Sequence, residues 1–229
     1  MDAGRSATEL GDAVPKIVDR EARRREIVEA YLRVVARDGV EQATSRALAT
    51  ELRVSTGALW HYFGDFDEVL VQAYGLVLAR TTDRIAERSA GLRGLPALTA
   101  MLTDLLPLSK ETEDEASAVV SIWGRVPHNP SLGECHATFE HVWREQIRTH
   151  LADATDLGQL VRRAPLSALA DVVFVLAAGL QVERVVSEAT TDAERQWRLV
   201  AAVLAPWMTE AGHAVHALPV DTRNFDERS

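Results

Sequence analysis

The chain has 229 residues, of which 47% are hydrophobic and 26% charged, with one cysteine and a formal net charge of −9. That is the composition of a soluble globular protein of one large domain or two small ones, and it excludes a fibrous repeat, extended disorder and, with Cys135 alone, an intrachain disulfide. The longest uncharged apolar stretches, Val172–Leu180 and Leu199–Met208, fall short of the roughly 18 residues that cross a bilayer. The N-terminus bears Asp2, Glu9 and Asp12 in place of an apolar signal core, so a cytoplasmic protein with no membrane partner is expected. Charge is uneven along the chain: residues 1–15 carry −2, residues 16–63 carry +2 and the rest −9, a mildly basic head on an acidic body.

From Asp19 to Asp38, Ile27, Tyr31, Val34 and Val35 recur on one helical face, and Gly39 follows as a C-cap. Thr44 is placed to cap a short helix to Leu52, with Ala47, Leu48 and Leu52 inward. A tight Arg53–Val54 turn then leads to Ser55, the cap of a very short helix over Thr56–Tyr62. Asp65 and Glu68 read as a capping box opening a long helix through about Arg88, after which Gly91, Gly94 and Pro96 break the chain.

The body begins with a helix over Ala97–Leu108, and a Thr112/Glu115 capping box opens another that ends near Arg125. A Pro127–Pro130 turn precedes a long helix over about Leu132–Ala154. Pro165 suits the first turn of a helix that is apolar through Val172–Leu180. A Thr191/Glu194 box opens the last helix, with Trp197, Val200, Val203, Leu204 and Trp207 on its apolar face and Pro206 as its kink or end. The expected fold is all-α with about nine helices. The expected organisation is a disordered tail over 1–18, a helix-turn-helix head over 19–65, a helical sensing and dimerisation body over 66–216 and a flexible tail over 217–229.

The most informative segment is TSRALATELRVSTGALWHYF, residues 44–63. Two short hydroxyl-capped helices around a tight turn form a helix-turn-helix pattern, whose second helix enters the major groove of DNA. With Thr44, Leu48, Ala49, Val54, Ser55, Gly57, Leu59, Trp60, Tyr62 and Phe63 in register, the segment resembles the head of the TetR (tetracycline-repressor) family over about residues 20–75. Ala49 is small where two helices must approach, and Val54 and Leu59 pin them together. Thr44 and Arg46 are placed for phosphate or a base edge, and Ser55 caps the reading helix. Gly57 leaves room for a phosphate backbone; Thr56, His61 and Tyr62 offer donors, and Trp60 a flat apolar surface. The alternatives are core packing for Trp60 and Tyr62 and a solvated surface arginine for Arg46. Two departures from the family pattern stand out: Phe63 is followed by Gly64-Asp65-Phe66-Asp67 without the usual lysine, and Trp60 replaces the commoner tyrosine. Each lost phosphate contact reduces the salt slope by about 0.9, so weaker backbone affinity is expected unless Arg23, Arg24 and Arg25 compensate. Otherwise those three arginines are a solvated helix start.

Beyond residue 90 the resemblance weakens, but the order of segments is similar to the betaine-regulator type. The resemblance implies a ligand-responsive repressor that binds a palindromic operator as a homodimer through helices over about 166–188 and 192–210. It also implies release by a small-molecule effector, through a swing of the helix that starts at Asp65. Trp123, Phe139, Trp143 and Phe174 are the aromatic residues best placed to line an effector pocket, with plain core packing as the alternative. His128 is a weaker polar candidate, more simply a solvated loop histidine. No catalytic, cofactor or metal site is expected: there is no P-loop, nucleophile elbow or paired-cysteine spacing, Glu210-x-x-His213 stands alone, and Cys135, His136 and His141 fit no standard metal site. The competing class is a helical small-molecule-binding module or enzyme that does not bind DNA, which a DNA column would separate from a regulator.

Overall fold

The structure, a computed structural model, describes residues 13–187 and 192–215, with side chains from residue 20 onward. Ten α-helices follow in chain order: α1 Ala13–Asp38, α2 Ser45–Glu51, α3 Thr56–Leu59, α4 Phe66–Ser89, α5 Leu95–Leu105, α6 Lys110–Trp123, α7 Pro130–Asp156, α8 Leu166–Val186, α9 Ala193–Leu204 and α10 Glu210–Val215. Among the described residues the sole β feature is an isolated bridge between Leu160 and Met208. The chain divides into two compact units, the first ending at Ala73 and the second starting at Tyr74, so the boundary falls inside α4. The first turns of α4 belong with the head because Val69 and Leu70 are buried and the Phe66 ring meets Tyr31 edge-on at 6.0 Å. α1 is already helical at Ala13, within the stretch expected as a loose tail; residues 1–12 and the tail expected over 217–229 lie outside the described residues.

In the head, α1 buries Ile27, Tyr31, Val34 and Val35, the face its periodicity selects. Gly39 ends it at φ +84°, a conformation a side chain would strain, with its N–H bonded to the Val35 carbonyl at 2.9 Å. Thr44 and Ser55 cap α2 and α3 as expected, their hydroxyls accepting from the Ala47 and Ala58 N–H groups at 3.3 Å each. The turn between them is held by Val54 N–H on the Ala49 carbonyl (2.9 Å) and places Arg53 in the left-handed region at φ +55°. α3 is shorter than the Thr56–Tyr62 expected: after Leu59 the Tyr62 and Phe63 N–H groups both turn back to the Leu59 carbonyl. Asp65 caps the Glu68 N–H at 2.8 Å, and the Glu68 carboxylate reaches back to the Gly64 N–H at 2.7 Å.

The body corrects three caps. α6 opens at a Ser109/Thr112 capping box, one turn before the expected Thr112/Glu115 pair. The Thr112 hydroxyl faces back onto the Ser109 N–H at 3.0 Å, while Glu115 is drawn away by an arginine of α4. Pro165 occupies the cap position of α8, one residue ahead of the first turn. At α9, Thr191 lies outside the described residues and the Asp192 carboxylate caps the Glu194 N–H at 3.0 Å. The final helix, expected over 192–210, is broken by Pro206 into α9, a 3-10 turn over Ala205–Trp207 and the short α10, so the helices number ten in place of about nine. Trp197, Val200 and Leu204 form its buried face.

α8, with a mean hydropathy of 1.7, is long and apolar enough by composition to cross a bilayer, although no uncharged run within it is. In the body, Leu169, Ala170, Val173, Ala177 and Leu180 are buried. Its charged residues tie it to three neighbours: Asp171 to Arg144 of α7 (2.6 Å), Arg184 to Glu113 of α6 (2.9 Å) and Glu183 to Arg195 of α9 (3.1 Å). Its other flank leaves Val172, Val175, Val182 and Val186 exposed at three- and four-residue intervals around an exposed Gly179.

Candidate functional site

In the head, Thr44, Arg46, Ser55, Thr56, Gly57, Trp60 and His61 are all exposed, and Tyr62 is half-buried. Trp60 is 38% exposed, so the core of the head is completed without it, by Leu59 and Phe63. Gly57 has an ordinary φ and nothing within 4 Å of where a Cβ would stand. Nothing inside the protein requires a glycine at that position.

The arginine run divides its work. Arg24, with a side chain only 11% exposed, bonds the Tyr62 carbonyl and the Glu68 carboxylate (2.5 Å) and lies over the Phe63 ring at 4.3 Å. It therefore ties α1 to the end of the reading segment and to the start of α4. Arg23 pairs with Glu26 within α1, and Arg25 is exposed. Of the three, Arg24 is a clamp inside the head and not a substitute for the lysine missing after Phe63. The Gly64 N–H and Arg24 both hold the Glu68 carboxyl below its ordinary range, in that order of strength.

The body encloses a cavity of about 640 Å3, counting its open mouth, walled by α4, α5, α6, α7 and α8. Trp123, Phe139, Trp143 and Phe174, the four aromatic residues singled out from the sequence, all line it, joined by Tyr74. The rings are fixed by polar contacts at their edges. Trp123 Nε1 donates to the Tyr74 hydroxyl at 3.1 Å, which in turn lies 2.7 Å from His136 Nδ1. Trp143 Nε1 donates to Thr82 Oγ1 at 3.1 Å. Burial pushes the Tyr74 phenol up to about 12, so it remains a neutral hydrogen-bonding group, and burial also raises the Cys135 thiol. His128 is exposed in a 3-10 turn and does not line the cavity.

Asp104, Glu115 and Glu140 also line the cavity, with no lysine or arginine beside them in the lining. Their counter-ions stand behind the wall. Arg84 of α4 holds Glu115 with two bonds (2.9 and 2.5 Å), and Arg88 of α4 holds Asp104 with two (2.7 and 3.2 Å). Burial alone would lower the Arg84 guanidinium, but the Glu115, Glu111 and Asp104 carboxylates together more than offset this and leave it above its ordinary range. Arg144 holds Glu140 at 2.8 Å and covers the Phe174 ring at 4.4 Å. The arrangement is an aromatic box with acidic walls, suited to a compact organic cation: ring faces attract cations, and buried carboxylates exclude anions.

Comparison with known proteins finds transcriptional regulators. Residues 96–206 match the TetR-type profile described as "BetI-type transcriptional repressor, C-terminal". The HTH-type transcriptional regulator PksA of Bacillus subtilis is 28% identical over 188 residues, covering 82% of this chain and 90% of that protein. Over its body and four fifths of its length the chain is thus similar to TetR-type transcriptional regulators. The HTH-type transcriptional regulator BetI of Paraburkholderia phymatum is 27% identical over 167 residues, 70% of this chain and 82% of its own length. A solved transcriptional regulator from Saccharomonospora viridis, in complex with choline, shares the fold with a TM-score of 0.74 at 19% identity, covering 81% of this chain and 96% of that one. These relatives are regulators and not enzymes.

In this chain the sequence reading missed the polar half of the cavity: Tyr74, Asp104, Glu115, His136, Glu140 and Gln181. One signal was available. His136, Glu140 and Arg144 recur every fourth residue on the helical face that also carries Phe139 and Trp143. His136 was weighed only as a metal ligand beside Cys135, whereas its Nδ1 meets Tyr74, a residue 62 positions away. Asp104 and Glu115 carry no local mark, since their roles come from arginines on another helix.

Proposed function

We propose that the chain is a ligand-responsive, homodimeric repressor that binds a palindromic operator and is released by a small organic cation. The cavity carries this reading: five aromatic side chains and three carboxylates line one site between the helices of the body, the chemistry that receives a compact ammonium compound. The choline bound to the Saccharomonospora viridis regulator is a ligand of this chemistry. Operator contact is assigned to Thr44, Arg46, Ser55, Thr56, Gly57, Trp60, His61 and Tyr62, most of them exposed on one short stretch of the head. The dimer interface is assigned to α8 and α9, where the exposed valines of α8 need a cover and Gly179 lets a second helix come close. Two heads related by a two-fold axis would match a palindrome with half-sites a multiple of one DNA turn apart. Release requires the effector to bind the DNA-free state more tightly, and α4 is the assigned lever because it is one continuous helix through the unit boundary. Such a regulator works in the cytoplasm.

The test is titration of the purified dimer against DNA from immediately upstream of its own gene, with random DNA as competitor and at several salt concentrations. Competitor-resistant binding that choline or a related quaternary ammonium releases is the expected result. Equal loss of both DNAs at physiological salt would overturn the operator assignment. Operator binding insensitive to every organic cation would overturn the effector class.

A further inference from the structure

The three acidic groups of the cavity are not held alike. Glu140 is secured by an arginine whose three guanidinium nitrogens are all bonded: Arg144 Nε and Nη2 to Glu140 (3.0 and 2.8 Å) and Nη1 to Asp171 (2.6 Å). Asp104, only 3% exposed, is gripped on both oxygens by Arg88. Glu115 is different. Its partner Arg84 has a buried Nε with no hydrogen bond, 3.5 Å from Asp104 Oδ1, and an Nη1 that stands 3.5 Å from Glu111 Oε1. Glu111 lies one turn before Glu115 on α6, with a side chain 67% exposed. Arg84 thus has a second carboxylate within reach on the solvent side. Glu115, for its part, has the Thr81 hydroxyl 3.3 Å away; its single hydrogen is shared with the nearer Val77 carbonyl (3.1 Å) and can turn to the carboxylate if the arginine leaves.

We propose that Glu115 is the acceptor for the effector's cationic group, in competition with Arg84, and that the displaced guanidinium moves toward Glu111. Resting on the effector reading above, this assignment names the carboxylate that reads charge and the protein group the ligand must replace. An ammonium and a guanidinium brought to one partly buried carboxylate repel each other, so the entering cation weakens the hold of Arg84 on Glu115. Arg84 belongs to α4, Glu115 to α6, and their two short bonds are a tie between those helices. An ammonium seated against Trp123 and Trp143 and paired with Glu115 loosens that tie. A neutral ligand of the same shape fills the same aromatic box and leaves it intact. Ligand charge, beyond ligand fit, is then what α4 registers.

Binding of phenyltrimethylammonium and of its neutral isostere tert-butylbenzene, followed by tryptophan fluorescence in the full-length dimer, separates the possibilities. The quantity read is the preference for the cation over the isostere. Glu115→Gln is expected to lower it about 10-fold, and Arg84→Met, by removing the competitor, to raise it about 10-fold. Arg84→Lys, a weaker and single-point competitor, is expected to shift it in the same direction by less, and it decides the matter if Arg84→Met does not fold. An unchanged preference in Glu115→Gln, or an unchanged or lowered one in the Arg84 variants, overturns the competition while leaving the cavity as an effector site. Failure of the wild-type protein to bind either compound overturns the effector reading and the competition together.

Discussion

The two units of this chain use polar side chains in opposite ways. In the head, the residues assigned to operator contact are largely on the surface: Thr56, Gly57, Trp60 and His61 are exposed, and Arg24 is consumed internally as a clamp. In the body they point inward and bond one another. Tyr74 links Trp123 to His136, and Arg84 and Arg88 neutralise Glu115 and Asp104 from behind. A surface that docks onto a stiff, pre-formed shape needs only presentation, whereas a cavity that must report occupancy needs internal contacts that a ligand can exchange. Conformational response belongs with the second kind of construction.

The comparison can be broken hardest at α8. Val175→Glu sets a carboxylate in the exposed valine stripe of each copy; about 4 kcal/mol of dimer stability is expected to go, with helix content unchanged. Sedimentation should then give a monomer, and a dimer of undiminished affinity would relocate the interface. Arg24→Met comes next. Losing its bonds to Tyr62 and Glu68 should cost about 3 kcal/mol in the head alone. Thermal unfolding is expected to split into two transitions, the lower one moving, while cavity ligands bind as before. His61→Ala should remove about 2 kcal/mol of operator affinity without altering the melting temperature, as checked by fluorescence anisotropy and calorimetry.

Two smaller effects sharpen the contrast. Gly57→Ala meets no atom of the protein and should raise helix stability by up to about 1 kcal/mol while weakening operator binding. A rise in both stability and affinity would mean that no backbone approaches there. In the body, burial holds the His150 imidazole below its ordinary value of 6.5, against the opposing pull of Asp153. The unfolded chain then binds the proton more readily, so stability is full above pH 6.5 and declines as pH falls below it toward the lowered folded value. His150→Gln should abolish the part of the melting-temperature loss that sets in below pH 6.5, before carboxylates with ordinary values near 4.5 begin to titrate.

Much of the head was readable in the chain order because its determinants are short-range. Thr44 and Ser55 cap helices three residues away, Gly39 ends α1 where a positive φ is needed, and Ile27, Tyr31 and Val34 bury the face their spacing selects. The same rules misplaced the start of α6, since Ser109 and Thr112 satisfy the cap as well as Thr112 and Glu115 do by pattern. The choice was made by Arg84, which holds Glu115 from 31 residues away. For the cavity, the aromatic residues announced themselves by size and rarity. Asp104 and Glu115 looked like any other surface acids.

The sequence by itself determined an all-α chain, a head with two short hydroxyl-capped helices around a tight turn, and four aromatic residues that meet in one cavity. Periodicity, caps and turn residues act within a few positions and do not depend on the rest of the fold. Only the tertiary structure decided that Arg24 is a clamp, that His136 serves Tyr74, and that three carboxylates wall the cavity with their arginines outside it. Those outcomes rest on charges and rings brought together across tens of residues. Their energies exist only once the helices have packed and water has been excluded from between them.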